Sequence, residues 1–364
     1  MTGKRLLAAF LGASLLLSGC GPAGGSQGAF DASSEENGKL KVAVTLFPYY
    51  DFVRQIAGDQ VDLQMVIPAG MDSHSFEPTP ADIRTIQHAD VLISNGGTME
   101  HWLEDTLSAL DTSNMTIVTM MDYVDTVEEE IVEGMEDAGH DHDHAHSHAA
   151  ADDHDHSHET PEEHAAHAQE ADDHDHSDYV DHDGHEEAIE YDEHIWTSPV
   201  NAMKLVDVIG ETLAEADPAH AEVFRQGAAD YKKELEEIDA GFREVSRNRK
   251  RNMIVMGDKF PFRYLADEYQ LDYRAAFSGC SSDTEPSAKT IAYLIDKVKE
   301  EQIPVVYYLE LSSHRVSEII GEETGAEPLL LHSCHNVTRA QFDAGITYAG
   351  LMRQNIENLR KGID

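Results

Sequence analysis

Positive charge is scarce in this chain, whereas negative charge is abundant. The 364 residues contain 26 Lys and Arg against 70 Asp and Glu, which gives a formal net charge of -44. A surface of this kind repels nucleic acid phosphates and anionic lipid headgroups, so we expect neither as a partner. Divalent cations are the ligands that such a charge favours.

Long apolar runs are also scarce, because none reaches the roughly 20 residues that a transmembrane helix needs. Lys4 and Arg5 precede a shorter apolar run at 6–17, which ends in Leu17-Ser18-Gly19-Cys20. This pattern predicts an export signal at 1–19 and resembles a bacterial lipobox, with Cys20 carrying the lipid; the alternative is an ordinary signal peptide with a chance Cys. Residues 20–38 then form a flexible tether, and we expect an extracytoplasmic protein that is attached to the bacterial cell membrane only through its lipid.

Cysteine is rare, and the chain has no Cys-x-x-Cys pair. If Cys20 carries lipid, Cys280 and Cys334 remain, and a lone pair of Cys outside the cell most simply forms a disulfide. The alternative is a thiolate metal site, which the wide separation of the two residues disfavours.

Short apolar runs alternate with amphipathic stretches in two blocks of the chain. This alternation predicts an α/β protein with two lobes, at 39–200 and 251–364, each built on a mainly parallel sheet. Between them, residues 201–250 show apolar residues at three- and four-residue spacing, which predicts a linking helical segment that is interrupted near Asp217-Pro218. Ligands of open α/β sheets bind beyond the carboxyl ends of the strands.

A segment at 128–190 consists mainly of Glu, Asp, His and Ala, without any Lys or Arg. It has too few apolar residues to offset its ordering entropy, so we expect a disordered loop. Neutral imidazoles beside carboxylates favour weak binding of several metal ions, although a purely solvated loop is the alternative. The His residues of its repeats are His140, His142, His144, His146, His148, His154, His156, His158, His174 and His176.

Three further His residues lie in non-repetitive sequence near predicted strand ends. His74 follows the second strand, His194 lies where the acidic segment returns to ordinary sequence, and His332 follows the apolar run Leu329-Leu330-Leu331. One such residue alone is more often an ordinary hydrogen-bonded His. Three of them in an exported protein with a His-rich loop indicate a metal site.

Two of these His residues lie in distinctive phrases. The phrases are His74-Ser75-Phe76-Glu77-Pro78-Thr79-Pro80 and Asp192-Glu193-His194-Ile195-Trp196-Thr197-Ser198-Pro199, with Asn95-Gly96-Gly97 between them. From about residue 39 to its C-terminus, the chain resembles the zinc and manganese substrate-binding lipoproteins of bacterial ABC importers. The resemblance implies two lobes bridged by a long rigid helix, a metal held between the lobes, and an importer permease with its ATPase as partners.

The resemblance also implies metal ligands. His74 matches the first ligand of the family, His194 the second and His332 the fourth. The third falls on Lys259, whose ammonium group has no lone pair to donate. Asp258 or Glu310 could replace it, or the metal could have three His ligands and a water molecule.

The donor atoms favour zinc over manganese, because three imidazoles suit Zn2+ whereas Mn2+ prefers more carboxylate oxygens. We therefore predict a monomeric zinc receptor that delivers its ion to an importer, with a manganese receptor of the same family as the alternative. A metal-scavenging surface protein or adhesin without a transporter is a second alternative. A zinc hydrolase is disfavoured, because the chain lacks a His-Glu-x-x-His motif.

Overall fold

The computed structural model of the chain describes residue 30 and residues 38–135, 190–281 and 285–364. The predicted signal, Cys20, most of the tether and the ten loop His residues lie outside these ranges. Within the described ranges, no helix is both long enough and apolar enough to cross a membrane.

Four parallel strands form the sheet of the N-terminal lobe, in the order β2-β1-β3-β4. They are β1 (Leu40–Val44), β2 (Val61–Met65), β3 (Val91–Ser94) and β4 (Thr116–Thr119). The helices of this lobe are α1 (Phe47–Ala57), α2 (Pro80–Gln87) and α3 (His101–Ser108). Strands that are covered by helices on both faces consist of continuous apolar runs, as β3 does.

Two long helices follow, α4 (Pro199–Ala216) and α5 (Ala221–Asn248). The predicted interruption at Asp217-Pro218 is confirmed, since α4 ends one residue before Asp217. At 1.5 Å per residue, the 28 residues of α5 span about 42 Å. Its buried face contacts α1 of the N-terminal lobe and the last helix of the C-terminal lobe. The apolar residues of this face are Phe224, Ala228, Tyr231, Leu235, Ile238, Phe242 and Val245.

The C-terminal lobe repeats the strand arrangement of the first, with a parallel sheet in the order β6-β5-β7-β8. Its strands are β5 (Met253–Phe260), β6 (Asp272–Ser278), β7 (Val305–Tyr308) and β8 (Glu327–Leu330). Its helices are α6 (Arg263–Tyr269), α7 (Ala288–Glu300), α8 (Arg315–Thr324), α9 (Arg339–Asp343) and α10 (Tyr348–Ile363). The predicted class, two α/β lobes with parallel sheets, is confirmed.

One hydrophobic core is continuous through both lobes. It includes Phe52 and Trp196 from the first part of the chain, Leu235 from α5, and Met256 and Tyr348 from the second part. A smaller core that includes Val255, Leu294 and Ile320 packs α7 and α8 onto the C-terminal sheet. Because the lobes share the larger core, moving one against the other would expose buried apolar surface.

The structure corrects the disulfide prediction, because Cys280 and Cys334 are both free thiols. Cys280 lies beside the N-terminal lobe, where its backbone N–H donates to Glu129 Oε1 at 3.0 Å. Cys334 is fully buried in the shared core, in the turn between His332 and His335. The two residues occupy different surroundings, and burial raises the pKa of each thiol above its ordinary value.

Thiol titration tests this correction. In a form that lacks residues 1–37, we expect two reactive thiols after unfolding without reductant, and slow reaction in the folded state because the thiolate is the reactive species. Mass spectrometry after alkylation counts them. Two unreactive Cys in the unfolded, unreduced protein would show that the disulfide exists.

The close packing between α1 and α5 predicts that a larger side chain at Gly227 lowers the stability of the protein. A Cβ atom at Gly227 would lie 2.1 Å from the main-chain oxygen of Ile56, which cannot move freely. We expect Gly227→Ala to lower the free energy of unfolding by about 1–3 kcal/mol in chemical denaturation. Gly241→Ala on the same helix is the matched control, because its new methyl would meet only the flexible tip of Ile356. Equal stability of the two variants would contradict this packing.

Candidate metal centre

Three His side chains meet where loops from both lobes face each other. His74 lies in the loop after β2, and His335 lies in the loop after β8. His194 directly precedes a short 3-10 turn, Ile195–Thr197, that leads into α4. Loops that follow parallel strands emerge at one edge of a sheet, which is where such sheets bind ligands.

The imidazole rings of these residues form a compact triangle. The ring centroids are 6.0 Å apart for His74 and His194, 5.7 Å for His74 and His335, and 5.6 Å for His194 and His335. One nitrogen of each ring lies within 4.8 Å of the others. A tetrahedral Zn2+ with bonds of about 2.05 Å needs nitrogens about 3.4 Å apart, so small ring rotations complete the site.

Asp192 orients His194. Its Oδ1 atom accepts the backbone N–H of His194 at 2.8 Å and lies 3.2 Å from the Nδ1 atom of the ring. A carboxylate on one ring nitrogen fixes the tautomer and leaves the other nitrogen, here Nε2, for a metal. Tyr264 holds Asp192 in turn, because its hydroxyl donates to the Asp192 main-chain oxygen at 2.7 Å.

The Asn95-Gly96-Gly97 segment anchors the residue before His194. Glu193 accepts hydrogen bonds from the backbone of Thr98 and, at 2.8 Å, from the backbone of Met99. The Asn95 side chain donates to the Glu193 main-chain oxygen at 3.0 Å. Gly97 has φ of +81°, and a Cβ atom there would lie 2.4 Å from the Glu193 carboxyl carbon. Glycine is therefore required at position 97 for the close approach that anchors the segment before His194.

Hydrogen bonds across the site join the two lobes. The Asn336 side chain donates to the main-chain oxygens of Pro68 and Met71, at 3.0 and 2.6 Å. Ser73 Oγ lies 2.5 Å from Nε2 of His335, so Nδ1 of that ring is the nitrogen left for a metal. These contacts tie the His74 loop directly to the His335 loop.

Trp196 forms the floor of the site. Its ring centroid lies 5.5 Å from that of His194 and 5.4 Å from that of His335, and the residue is fully buried. Its indole N–H donates to the Ser333 main-chain oxygen at 2.8 Å, and its own main-chain oxygen accepts from the Tyr348 hydroxyl at 2.6 Å. A single rigid ring therefore supports imidazoles from both lobes.

His332, the predicted partner of His74 and His194, is not in this group, and His335 takes its place. The backbone N–H and C=O of His332 both bond the Asn355 side chain of α10, which directs the residue into the core. Its Nδ1 accepts from the Cys334 backbone N–H at 3.0 Å. Cys334 then adopts φ of +61°, and this left-handed turn presents His335 to the cleft.

The predicted substitutes for a third ligand are not in the group either. Asp258 accepts backbone N–H groups from Lys259 and Leu309 through its two oxygens, at 2.9 and 3.3 Å. Glu310 accepts from the backbone N–H of Ser333 at 2.8 Å and from its hydroxyl. Both carboxylates are therefore already used in shaping the loops.

The surroundings keep two of the three imidazoles neutral. Burial lowers the pKa of His74 to about 4, and the charges of His194 and Lys259 act in the same direction. Burial also lowers the pKa of His335 well below its ordinary value. Burial alone would lower the pKa of His194 as well, but the carboxylates of Asp192, Glu129 and Glu193 outweigh it and raise the pKa. Only neutral imidazole binds metal, so two ligands are ready at neutral pH and His194 competes with a proton.

This difference predicts how zinc affinity depends on pH. Between the raised pKa of His194 and about pH 5, the logarithm of the association constant should decrease by about one per pH unit, because His194 alone gains a proton there. Asp192→Asn removes the carboxylate that raises the pKa of His194, so this dependence should flatten, and affinity at pH 8 should fall by about 10- to 100-fold.

Calorimetry at several pH values, with the exposed Asp105→Asn as the matched control, measures both effects. A slope near three in the same interval would mean that all three imidazoles titrate together. That result would contradict the neutral state derived for His74 and His335.

Comparison with known proteins finds relatives that match most of the chain. A family model described as zinc-uptake complex component A, periplasmic, matches residues 42–362. The chain is 33% identical over 327 residues to the zinc-binding protein AdcA of Streptococcus pyogenes serotype M18, a match that covers 90% of this chain and 56% of that protein. It therefore spans about half the length of this relative.

Two further matches extend over nearly the whole of the related chain. The chain is 28% identical over 349 residues to the high-affinity zinc uptake system protein ZnuA of Bacillus subtilis, covering 96% of this chain and 94% of that protein. The crystal structure of the Zn(II)-bound ZnuA-like domain of Streptococcus pneumoniae AdcA superposes with a TM-score of 0.64 and 26% identity, over 90% of this chain and 99% of that domain.

Proposed function

Because the chain belongs to the zinc-uptake complex component A family, whose family model matches residues 42–362, we propose that it captures Zn2+ at His74, His194 and His335. The observation that carries the proposal is the convergence of three imidazole nitrogens, from both lobes, within 4.8 Å of one another. Three neutral nitrogens form the donor set that Zn2+ accepts and that Mn2+ does not prefer.

The ion would then pass to an importer. We propose that the protein is held at the outer face of the cell membrane by a lipid on Cys20 and delivers zinc to an ABC importer permease with its ATPase. The related proteins are named for zinc binding and zinc uptake, which supports this role. Permease and ATPase genes beside the gene for this chain would separate the importer from an adhesin that only scavenges metal.

The proposed site acts as a receptor rather than as a catalyst. A zinc hydrolase needs a general base beside the metal-bound water, whereas Asp258 and Glu310 of the cavity accept backbone N–H groups that shape the loops. The shared core and the hydrogen bonds of Asn336 oppose large opening of the lobes. Release would therefore proceed by movement of the His74 and His335 loops, with their lobes held in place.

A matched pair of substitutions tests the site. Asn can accept a hydrogen bond where Nδ1 of His does, so His332→Asn should keep the turn and the zinc affinity. His335→Asn should weaken zinc binding by more than about 100-fold, because a direct ligand contributes more than a residue that only orients one. Calorimetry on a form that lacks residues 136–189 measures both. Loss of binding in His332→Asn alone would restore the ligand set predicted from the sequence.

The His-rich segment is proposed as a set of weaker auxiliary metal sites. Deletion of residues 136–189 retains the pairing of Glu128 with Tyr191 that closes the base of the segment. We expect this deletion to lower the number of zinc ions bound and to leave the tightest step unchanged. The extra binding of the full chain should fall below about pH 6, because free His titrates near 6.5. If the deletion removed the tightest step, the segment would be the primary site.

A further inference from the structure

The three imidazoles leave one position of a four-coordinate zinc without a protein ligand. Within the described ranges, the group of His, Cys, Asp and Glu residues that could hold an ion contains His74, His194 and His335 and no fourth member. Zn2+ in proteins binds four ligands as a rule. The fourth ligand must therefore enter from the cavity beside the site.

That cavity is much larger than one water molecule. It has a volume of about 370 Å3 and is bordered by the three His residues, by Lys259 and by Arg315. A water molecule occupies about 30 Å3 in the liquid. The space beside the open position therefore accommodates a molecule of several heavy atoms together with the metal.

Lys259 brings a positive charge to the lining of the cavity. It lines the same cavity as the three His residues, and its charge lowers the pKa of both His74 and His335. Among the described residues, neither Lys259 nor Arg315 forms an ion pair with a carboxylate, whereas 11 other Lys and Arg residues do. A bound Zn2+ would raise the local charge further.

Among the described residues, the acidic residues of the lining form no ion pair with Lys259. These residues are Asp72, Asp258, Glu285 and Glu310. Asp258 and Glu310 accept the loop hydrogen bonds described above, and Asp72 accepts the backbone N–H of His74 at 3.2 Å. An anion from solution can therefore meet both charges at once, one oxygen on the metal and another on the ammonium group.

We propose that the site binds zinc together with a small oxyanion, such as a carboxylate or carbonate, which takes the fourth position and pairs with Lys259. This inference rests on the proposed zinc site and names the form in which the ion is held. By linkage, the anion and the metal must strengthen each other's binding by the same factor.

Cobalt spectroscopy tests the proposal, because the visible spectrum of Co2+ reports its ligands directly. The Co2+-loaded form lacking residues 136–189 is titrated with acetate and, separately, with bicarbonate, at constant pH and ionic strength. We expect a saturable spectral change with at least one of them. The anion dissociation constant should rise at least about tenfold in Lys259→Gln, which is 1.4 kcal/mol, and not in Lys299→Gln, an exposed residue of α7 with the same charge.

The outcomes separate the two proposals. A response to acetate identifies a carboxylate, and a response to bicarbonate alone identifies carbonate. The inference would be overturned if neither anion changed the spectrum, if only pH changed it, or if Lys259→Gln responded equally. None of these results would contradict the zinc site. Failure of Co2+ and Zn2+ to bind whether or not an anion is present, or binding unaffected by His335→Asn, would instead contradict the proposed function.

Discussion

The buried indole of Trp196 is the contact on which the geometry of the site depends. It packs against His194 on its own segment and His335 from the other lobe, while its N–H and main-chain oxygen are bonded to Ser333 and Tyr348. Because the indole and its partners belong to one continuous core, the imidazole triangle is positioned by packing rather than by the metal. A site held in this way loses little conformational entropy when the ion arrives.

Charge is distributed unequally around the triangle, although the chain as a whole is strongly acidic. Burial lowers the pKa of His74 and His335, and Lys259 adds to the effect, so these imidazoles are neutral before zinc binds. Asp192 makes the opposite contribution at His194, where the carboxylate raises the pKa and orients the ring. The arrangement combines two ligands of lowered pKa with one of raised pKa, and the acidic surface attracts the cation toward them.

The fold was largely predictable, because alternating apolar and amphipathic stretches report parallel sheets directly. The two lobes with parallel sheets, the break at Asp217-Pro218 and the apolar spacing along α5 agree with the predictions. His74 and His194 were recognised from their sequence phrases. His332 was predicted because it follows the apolar run at 329–331 and matches the fourth ligand of the family, and no local signal revealed that Asn355 of α10 turns His332 into the core. The positive φ of Cys334, which presents His335, is likewise a tertiary property.

A crystal structure of the zinc-loaded protein, with anomalous difference maps measured at the zinc edge, tests the central claim most directly. We predict one strong peak between the lobes, about 2.0–2.1 Å from a nitrogen of each of His74, His194 and His335, with a fourth ligand that is not a protein atom. A peak that is bonded to His332, Asp258 or Glu310, or that lies away from the triangle, would contradict it.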